Sequence, residues 1–199
     1  GRNGSGKQLI DQLLVGEVMP SHGIVDRTIG ADQIALISFE RQQATYEEEW
    51  RLAATDIIPE DECGTRVVEF LPRQRLEDPL IDQLNMRHRL QAFYRELSTG
   101  ESRKLMVLKA LLDEAEVLIC DNPFDSLDQG TVQALSETFR LAVASGVAVI
   151  LLLSNRSDIP GWVEKFGHVE AGLLTAFAGA RDAQLTQLEA AIGTSAIVQ

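Results

Sequence analysis

Basic residues, cysteine and long apolar runs are all scarce in this sequence, and each scarcity removes a class of function. Eighteen Lys and Arg face thirty Asp and Glu, which leaves a net charge of −12 and a pI near 4.7. Phosphate backbones attract basic surfaces, so this balance argues against nucleic acid as a partner. The longest apolar run, Val147 to Leu153, is far shorter than the about 20 residues needed to cross a bilayer, so any membrane role has to come through a partner. No secretory signal opens the chain. The two cysteines, Cys63 in a polar loop and Cys120 in an apolar stretch, offer no metal-ligand spacing and fit a reduced, cytosolic setting, with Cys120 as core packing.

What is present is the composition of one globular domain: 199 residues, 45% apolar and 24% charged. Lys7 to Val15 reads as a helix with Leu9, Ile10, Leu13 and Leu14 on one side, followed by turn punctuation around Gly16 to Gly23. Ile34 to Phe39 is a short apolar run that fits a buried strand, with a helix segment left open by its length. From Ala44 to Glu96 the pattern is mostly helical and charged, broken by the Pro59 to Gly64 loop and by Pro72 and Pro79, with Leu80, Ile81, Leu84 and Leu90 at helical spacing.

Ser102 to Leu112 predicts a further helix, Val117 to Cys120 a strand ending in Asp121, and Thr131 to Ala144 an amphipathic helix with Val132, Leu135, Phe139 and Val143 near one face. The strand Val147 to Leu153 follows, and strand–helix–strand order implies a parallel sheet. The tail adds a weak strand pair near Val169 to Phe177 and a helix from Arg181 to Ile192. No repeat or low-complexity tract occurs.

The chemistry lies in three separated segments. Gly1-Arg2-Asn3-Gly4-Ser5-Gly6-Lys7 has the glycines a backbone needs to wrap phosphates with its N–H groups, and Lys7 adds a point charge for the outer phosphates. Residue 1 is already the first glycine of that loop, so the strand that has to precede it is missing, which reads as a cut domain. Asp121 places a carboxylate at the tip of a parallel strand, where a phosphate-loop protein holds Mg²⁺ through water. Leu97-Ser98-Thr99-Gly100-Glu101 stands ahead of it, at the start of a helix. A Ser N-cap with an acidic residue three positions on accounts for the helix start but not for the ordered series of segments.

Together these segments resemble the ATP-binding-cassette ATPases: a phosphate loop, a Leu-Ser-Thr-Gly-Glu signature, then Asp121-Asn122-Pro123-Phe124-Asp125-Ser126-Leu127-Asp128 in the place of the Walker B segment and D-loop. The resemblance covers nearly the whole chain. It implies an α/β fold of the P-loop NTPase type, with a core over 1–43 and 97–199 and a helical subdomain over 44–96. Ile37-Ser38-Phe39-Glu40, Glu49-Trp50 and the stretch from Leu153 through Asn155-Arg156 to Ile159-Pro160 resemble the first cassette of tandem molybdate-transport, photorepair-type ATP-binding proteins.

In that family two cassettes meet head to tail, and each ATP lies between one phosphate loop and the other cassette's signature. The resemblance therefore implies that Gly1, Asn3, Gly4, Ser5, Gly6, Lys7, Gln8, Arg41, Gln42 and Asp121 serve the chain's own ATP and Mg²⁺. Ser98, Thr99, Gly100, Glu101 and Asp128 would serve the partner's nucleotide. It further implies a second cassette as partner, a membrane permease beyond it, and a cytoplasmic location peripheral to the membrane.

Four positions depart from the family pattern. Gln8 replaces the Ser or Thr whose hydroxyl ligates Mg²⁺. The glutamine after the second strand falls near Arg41, with Gln42 and Gln43 just beyond. Asn122 stands for the catalytic glutamate, and an amide orients a water but accepts no proton at neutral pH. Asn155 stands for the histidine that contacts the γ-phosphate, while His22, His88 and His168 sit elsewhere and read as bystanders.

The four changes together point to a degenerate site that binds ATP without efficient turnover. Two functions stay open: an asymmetric ATPase pair linked to transport, or an ATP-gated interaction module without transport. A P-loop kinase or other Rossmann-like enzyme leaves the signature pentapeptide unexplained.

Overall fold

The computed structural model describes residues 12–19, 22, 29–53, 64–170 and 173–195. The chain divides into two compact units, Asp26–Leu152 and the combination of Gly1–Val25 with Leu153–Gln199.

In the unit Asp26–Leu152, strands β1 (Ile34–Ile37), β2 (Val117–Asp121) and β3 (Ala148–Leu152) form one parallel sheet in the order β1-β2-β3. Parallel neighbours need long crossovers. The first carries helices α1 (Phe39–Ala53), α2 (Pro79–Gln83) and α3 (Thr99–Leu112), and the second carries α4 (Gln129–Ala144). The middle strand is the most buried of the three, with Leu118, Ile119 and Cys120 in the core. Burial pushes the Cys120 thiol well up, as expected of a packing residue. Ile37 pairs with Cys120 and Asp121 with Leu152, so the carboxyl ends of all three strands share one edge. Open parallel sheets bind ligands at that edge.

The first predicted strand is shorter than expected. Ser38 Oγ accepts from the Arg41 N–H at 3.3 Å, which caps α1 and hands Phe39 to the helix. The region expected to be mostly helical also differs. After α1, residues 64–96 run through short 3-10 turns (Val67–Phe70, Arg73–Arg75, Arg87–Arg89, Tyr94–Glu96) and the five-residue α2. Asp78 caps α2 by accepting from the Leu80 N–H at 3.0 Å, with Pro79 at its first position. The apolar spacing still marks the core, because Ile81 and Leu84 are fully buried.

α3 starts at Thr99, three residues before the expected Ser102, and it buries residues on several sides: Ser102, Arg103, Leu105, Val107, Leu108, Ala110 and Leu112. α4 is amphipathic as expected, but the buried face is rotated. Thr131, Leu135, Thr138, Phe139 and Ala142 are buried, whereas Val143 is exposed. Two threonines can lie inward because both hydroxyls find acceptors, Thr131 in Asp128 and Thr138 in the Ala134 carbonyl.

In the other unit, residues 12–15 are helical and agree with the predicted first helix, whose beginning lies outside the described residues. β4 (Gly167–Glu170) and β5 (Leu173–Ala176) pair antiparallel, and α5 spans Arg181–Ser195. Gln184 is buried there, donating to the carbonyls of Glu164 and Gly179 and accepting from the Phe166 N–H. Cys63 lies outside the described residues. No helix among the described residues is long and apolar enough to cross a membrane.

Candidate functional site

The pentapeptide Leu97–Glu101 builds its own platform. Ser98 is exposed at the N-cap of α3, where its Oγ accepts from the Glu101 N–H at 3.2 Å. Glu101 Oε2 accepts from the Ser98 N–H at 2.9 Å, which completes a reciprocal capping box. Glu101 Oε1 also stands 3.1 Å from Arg89 Nε, an ion-pair contact outside hydrogen-bond geometry that leaves Nε buried with no hydrogen-bond partner. Thr99 is exposed and Gly100 half-buried. The first N–H groups of a helix have no intrahelical acceptor, and the macrodipole makes that end attractive to anions. The Ser98 hydroxyl accepts as a cap and keeps its own proton available to donate.

Asp121 ends β2 and is half-buried, and its Oδ1 accepts from Asn122 Nδ2 at 3.1 Å. Asn122 turns the chain with φ +43, and its N–H donates to the Leu152 carbonyl at 2.8 Å, joining the turn to the end of β3. Ser126 is a second left-handed residue in the same turn, with φ +61. Asn visits this region more readily than other side chains, which suits it to the position.

Asp128 then caps α4, accepting from the Thr131 N–H at 2.9 Å and Thr131 Oγ1 at 2.7 Å. The Thr131 hydroxyl first, and then its N–H, hold the Asp128 carboxyl below the usual carboxylate range. Thr131 also meets the pentapeptide, since a side-chain carbon at Gly100 would stand 3.4 Å from Thr131 Cγ2 and 3.6 Å from Leu127 Cδ2. The structure therefore brings Gly100 against Leu127 and Thr131, the residues on either side of the Asp128 cap.

The strand-end carboxylate, the turn and the capped pentapeptide can now be set against known proteins. A family described as ABC transporter matches residues 1–125. The chain belongs to this family. It is 33% identical over 193 residues to the ABC transporter ATP-binding protein ModF of Escherichia coli (strain K12), a match that covers 94% of this chain and 39% of that protein. It is 26% identical over 155 residues to the aliphatic sulfonates import ATP-binding protein SsuB 1 of Rhodococcus jostii (strain RHA1), covering 78% of this chain and 59% of that protein. The chain thus spans less than two thirds of either relative.

Among solved structures, an ATP binding subunit of an ABC transporter superposes with a TM-score of 0.67 at 23% identity, covering 96% of this chain and 84% of that one. The cbiO1 protein of Clostridium perfringens, part of the ABC transporter complex cbiONQ, gives 0.65 at 19% identity, covering 98% and 80%. These likenesses confirm the P-loop NTPase fold of the ABC ATPases.

ABC ATPases bind ATP with Mg²⁺, and the donor set on the sheet edge is mixed. Asp121 offers the hard oxygen ligand that Mg²⁺ takes, whereas the neighbouring Asn122 offers only an amide. Among the described residues no group of three or more His, Cys, Asp or Glu is placed to hold a metal ion. A Mg²⁺ ion usually keeps several waters and substrate phosphates beside one or two carboxylates, and Asp121 would be one such carboxylate.

Gly1, Asn3, Gly4, Ser5, Gly6, Lys7 and Gln8 lie outside the described residues. Arg41 is exposed, and Gln42 is buried with its amide turned to α3: Nε2 donates to the Thr99 carbonyl at 3.0 Å and to Ser102 Oγ, and Oε1 accepts from Arg103 Nε at 3.3 Å. Asn155 belongs to the other unit, exposed before the short turn Arg156–Asp158.

Three residues that shape this candidate site were missed in the sequence: Arg89, Arg103 and Thr131. The Asp-x-x-Thr spacing of Asp128 and Thr131 is a capping pattern that would have found the last. Nothing in Arg103-Lys104 tells which cation is buried.

Proposed function

We propose that this chain is an ABC cassette that binds ATP at its own phosphate loop with little turnover and completes the hydrolytic site of a second cassette. The observation that carries this reading is the capped pentapeptide, exposed at Ser98 and Thr99, whose Gly100 lies against the cap residue Thr131. Ser98 would donate its hydroxyl proton, and Thr99 and Gly100 their N–H groups, to the partner's γ-phosphate, while Glu101 holds the cap closed. Asp128, ionised at neutral pH, would face the same partner.

The chain's own half would use Gly1, Asn3, Gly4, Ser5, Gly6 and Lys7 to wrap ATP, with Asp121 for Mg²⁺ and Arg41 and Gln42 nearby. Gln8, Arg41, Asn122 and Asn155 weaken that half for different reasons. Gln8 lacks the ligating hydroxyl, Arg41 brings positive charge, Asn122 accepts no proton, and Asn155 has no titratable ring. Losing several transition-state contacts slows hydrolysis by orders of magnitude, although such losses do not add.

The matched stretch takes up 39% of ModF, so a second cassette of this size fits within that relative's length. The division into a core of 1–43 and 97–199 and a helical part of 44–96, the permease partner, a cytoplasmic and membrane-peripheral location, and the link to molybdate transport complete the proposal on the strength of the family resemblance. An ATP-gated interaction module without transport is the alternative, and a permease copurifying with the complete protein discriminates between them. The composite site itself is tested by ATP turnover of the complete protein carrying Ser98→Arg: turnover at the partner site has to be lost, and wild-type turnover would refute the reading.

A further inference from the structure

The guanidinium of Arg103 is buried, 4% exposed, with no carboxylate within ion-pair distance among the described residues. Its contacts run instead to three main-chain carbonyls in one turn: Nη1 donates to Asp125 at 2.9 Å, to Pro123 at 3.3 Å and to Asn122 at 3.4 Å. On its other side Nε donates to Gln42 Oε1 at 3.3 Å. Gln42 in turn donates to the Thr99 carbonyl and to Ser102 Oγ, at the first turn of α3. One cation therefore joins the start of α1, the start of α3 and the turn after β2.

A buried charge is an expensive way to fill a core, and apolar groups of the same volume often do as well for stability. Burial already lowers the Arg103 pKa, the sign of a charge held at a cost. What the guanidinium supplies and an apolar group does not is a set of directed donors in fixed geometry. Those donors grip the turn that contains the left-handed Asn122 and Ser126 and leads to Asp128.

We propose that Arg103 is a positioning residue that locks the Asn122–Asp125 turn to the first turn of α3 through Gln42, holding Ser98, Gly100 and Asp128 in register for a partner cassette. At 4% exposure Arg103 would not itself touch nucleotide. It acts through the residues that would, and the inference rests on the composite-site reading given above. Misplacing a positioning element by about 1 Å can cost as much as 100-fold in rate, so loss of this lock is read in kcat and not in nucleotide affinity.

The test uses ATP turnover of the complete protein with Ser98→Arg, Arg103→Met, Arg103→Lys, Gln42→Leu and the double variant Arg103→Met/Gln42→Leu. The expected result is an about 10- to 100-fold lower kcat for Arg103→Met with KM for ATP nearly unchanged. Arg103→Lys keeps a charge and donors for the turn, and it has to recover turnover to within about threefold of wild type. The double variant has to be no slower than Arg103→Met alone, because both changes cut one connection.

Wild-type kcat for Arg103→Met, a loss no greater than its unfolded fraction by circular dichroism, or losses that multiply in the double variant would each overturn the proposal. If Arg103→Met does not fold, Gln42→Leu has to cost less in the Arg103→Lys background than in wild type, and an equal cost overturns the proposal. The control separates the two claims. An active Ser98→Arg sinks the composite site and this inference with it, whereas an inactive Ser98→Arg beside a fully active Arg103→Met sinks only the inference.

Discussion

Gly100 lies against Thr131, close enough that a side-chain carbon there would stand 3.4 Å from Thr131 Cγ2. This contact puts the pentapeptide beside the cap of α4, although the two segments are separated in the chain by all of α3 and β2. Ser98 and Thr99 at the anion-attracting start of α3 are exposed, and so is Asp128 at the cap that Gly100 approaches. A cassette that lends its signature to another needs such a surface.

Ser98 has two roles in this account, and one substitution separates them. Aspartate is as good an N-cap as serine, so Ser98→Asp keeps the acceptor for the Glu101 N–H and the melting temperature stays close to wild type. It removes the donatable proton and sets a negative charge toward phosphate, so partner-site turnover falls by at least about 100-fold. Ser98→Ala has to behave differently, losing about 1 kcal/mol of stability with its cap. Thermal melts beside phosphate-release assays check both.

Asn122→Glu, the change that puts a general base in place, does not restore hydrolysis at this half. Gln8 and Arg41 still disfavour the metal, and a glutamate at φ +43 adds strain of about 1 kcal/mol. The expected outcome is a less stable protein with no gain in phosphate release when the partner site is silenced. A burst of hydrolysis would contradict the degeneracy of the site.

The Asp128 cap is pH-dependent with a definite sign. Its carboxyl is held below the ordinary value of 3.8 by Thr131, so the folded chain binds this proton less tightly than the unfolded chain does. The stabilisation is complete above the unfolded value and drains away as pH falls through the lower folded one. Asp128→Asn keeps a capping oxygen without a charge. Melting temperatures between pH 5 and pH 2 therefore have to fall less steeply for this variant than for the wild type.

Phe139 is fully buried on α4, with its ring 6.2 Å from that of Phe124 in the turn after β2. Phe139→Ala leaves a cavity under that turn and is expected to cost about 3 to 5 kcal/mol in denaturant unfolding. A loss below about 1 kcal/mol would show that the turn does not rest on this packing.

Periodicity and composition made the sheet legible. The apolar stretches ending at Asp121 and Leu153 became β2 and β3, with the carboxylate at the strand tip as expected. Caps explain several of the departures. Ser38 ends β1 early by capping α1, and the Ser98-x-x-Glu101 box starts α3 at Thr99. Side-chain direction was the less legible part, because neighbouring helical residues differ by about 100° and only tertiary packing decides which faces in. Gln42 is buried while Gln43 is exposed, and Val143 points out while Thr138 points in. Arg103 and Lys104 offer the same choice, and the buried one organises the site.

The most direct test compares ATP turnover of the complete protein bearing Lys7→Ala with that of the protein bearing Ser98→Arg. Lys7→Ala is expected to retain most of the turnover, since this half contributes little hydrolysis, and Ser98→Arg to abolish it. Loss of turnover in Lys7→Ala with full activity in Ser98→Arg would contradict the account.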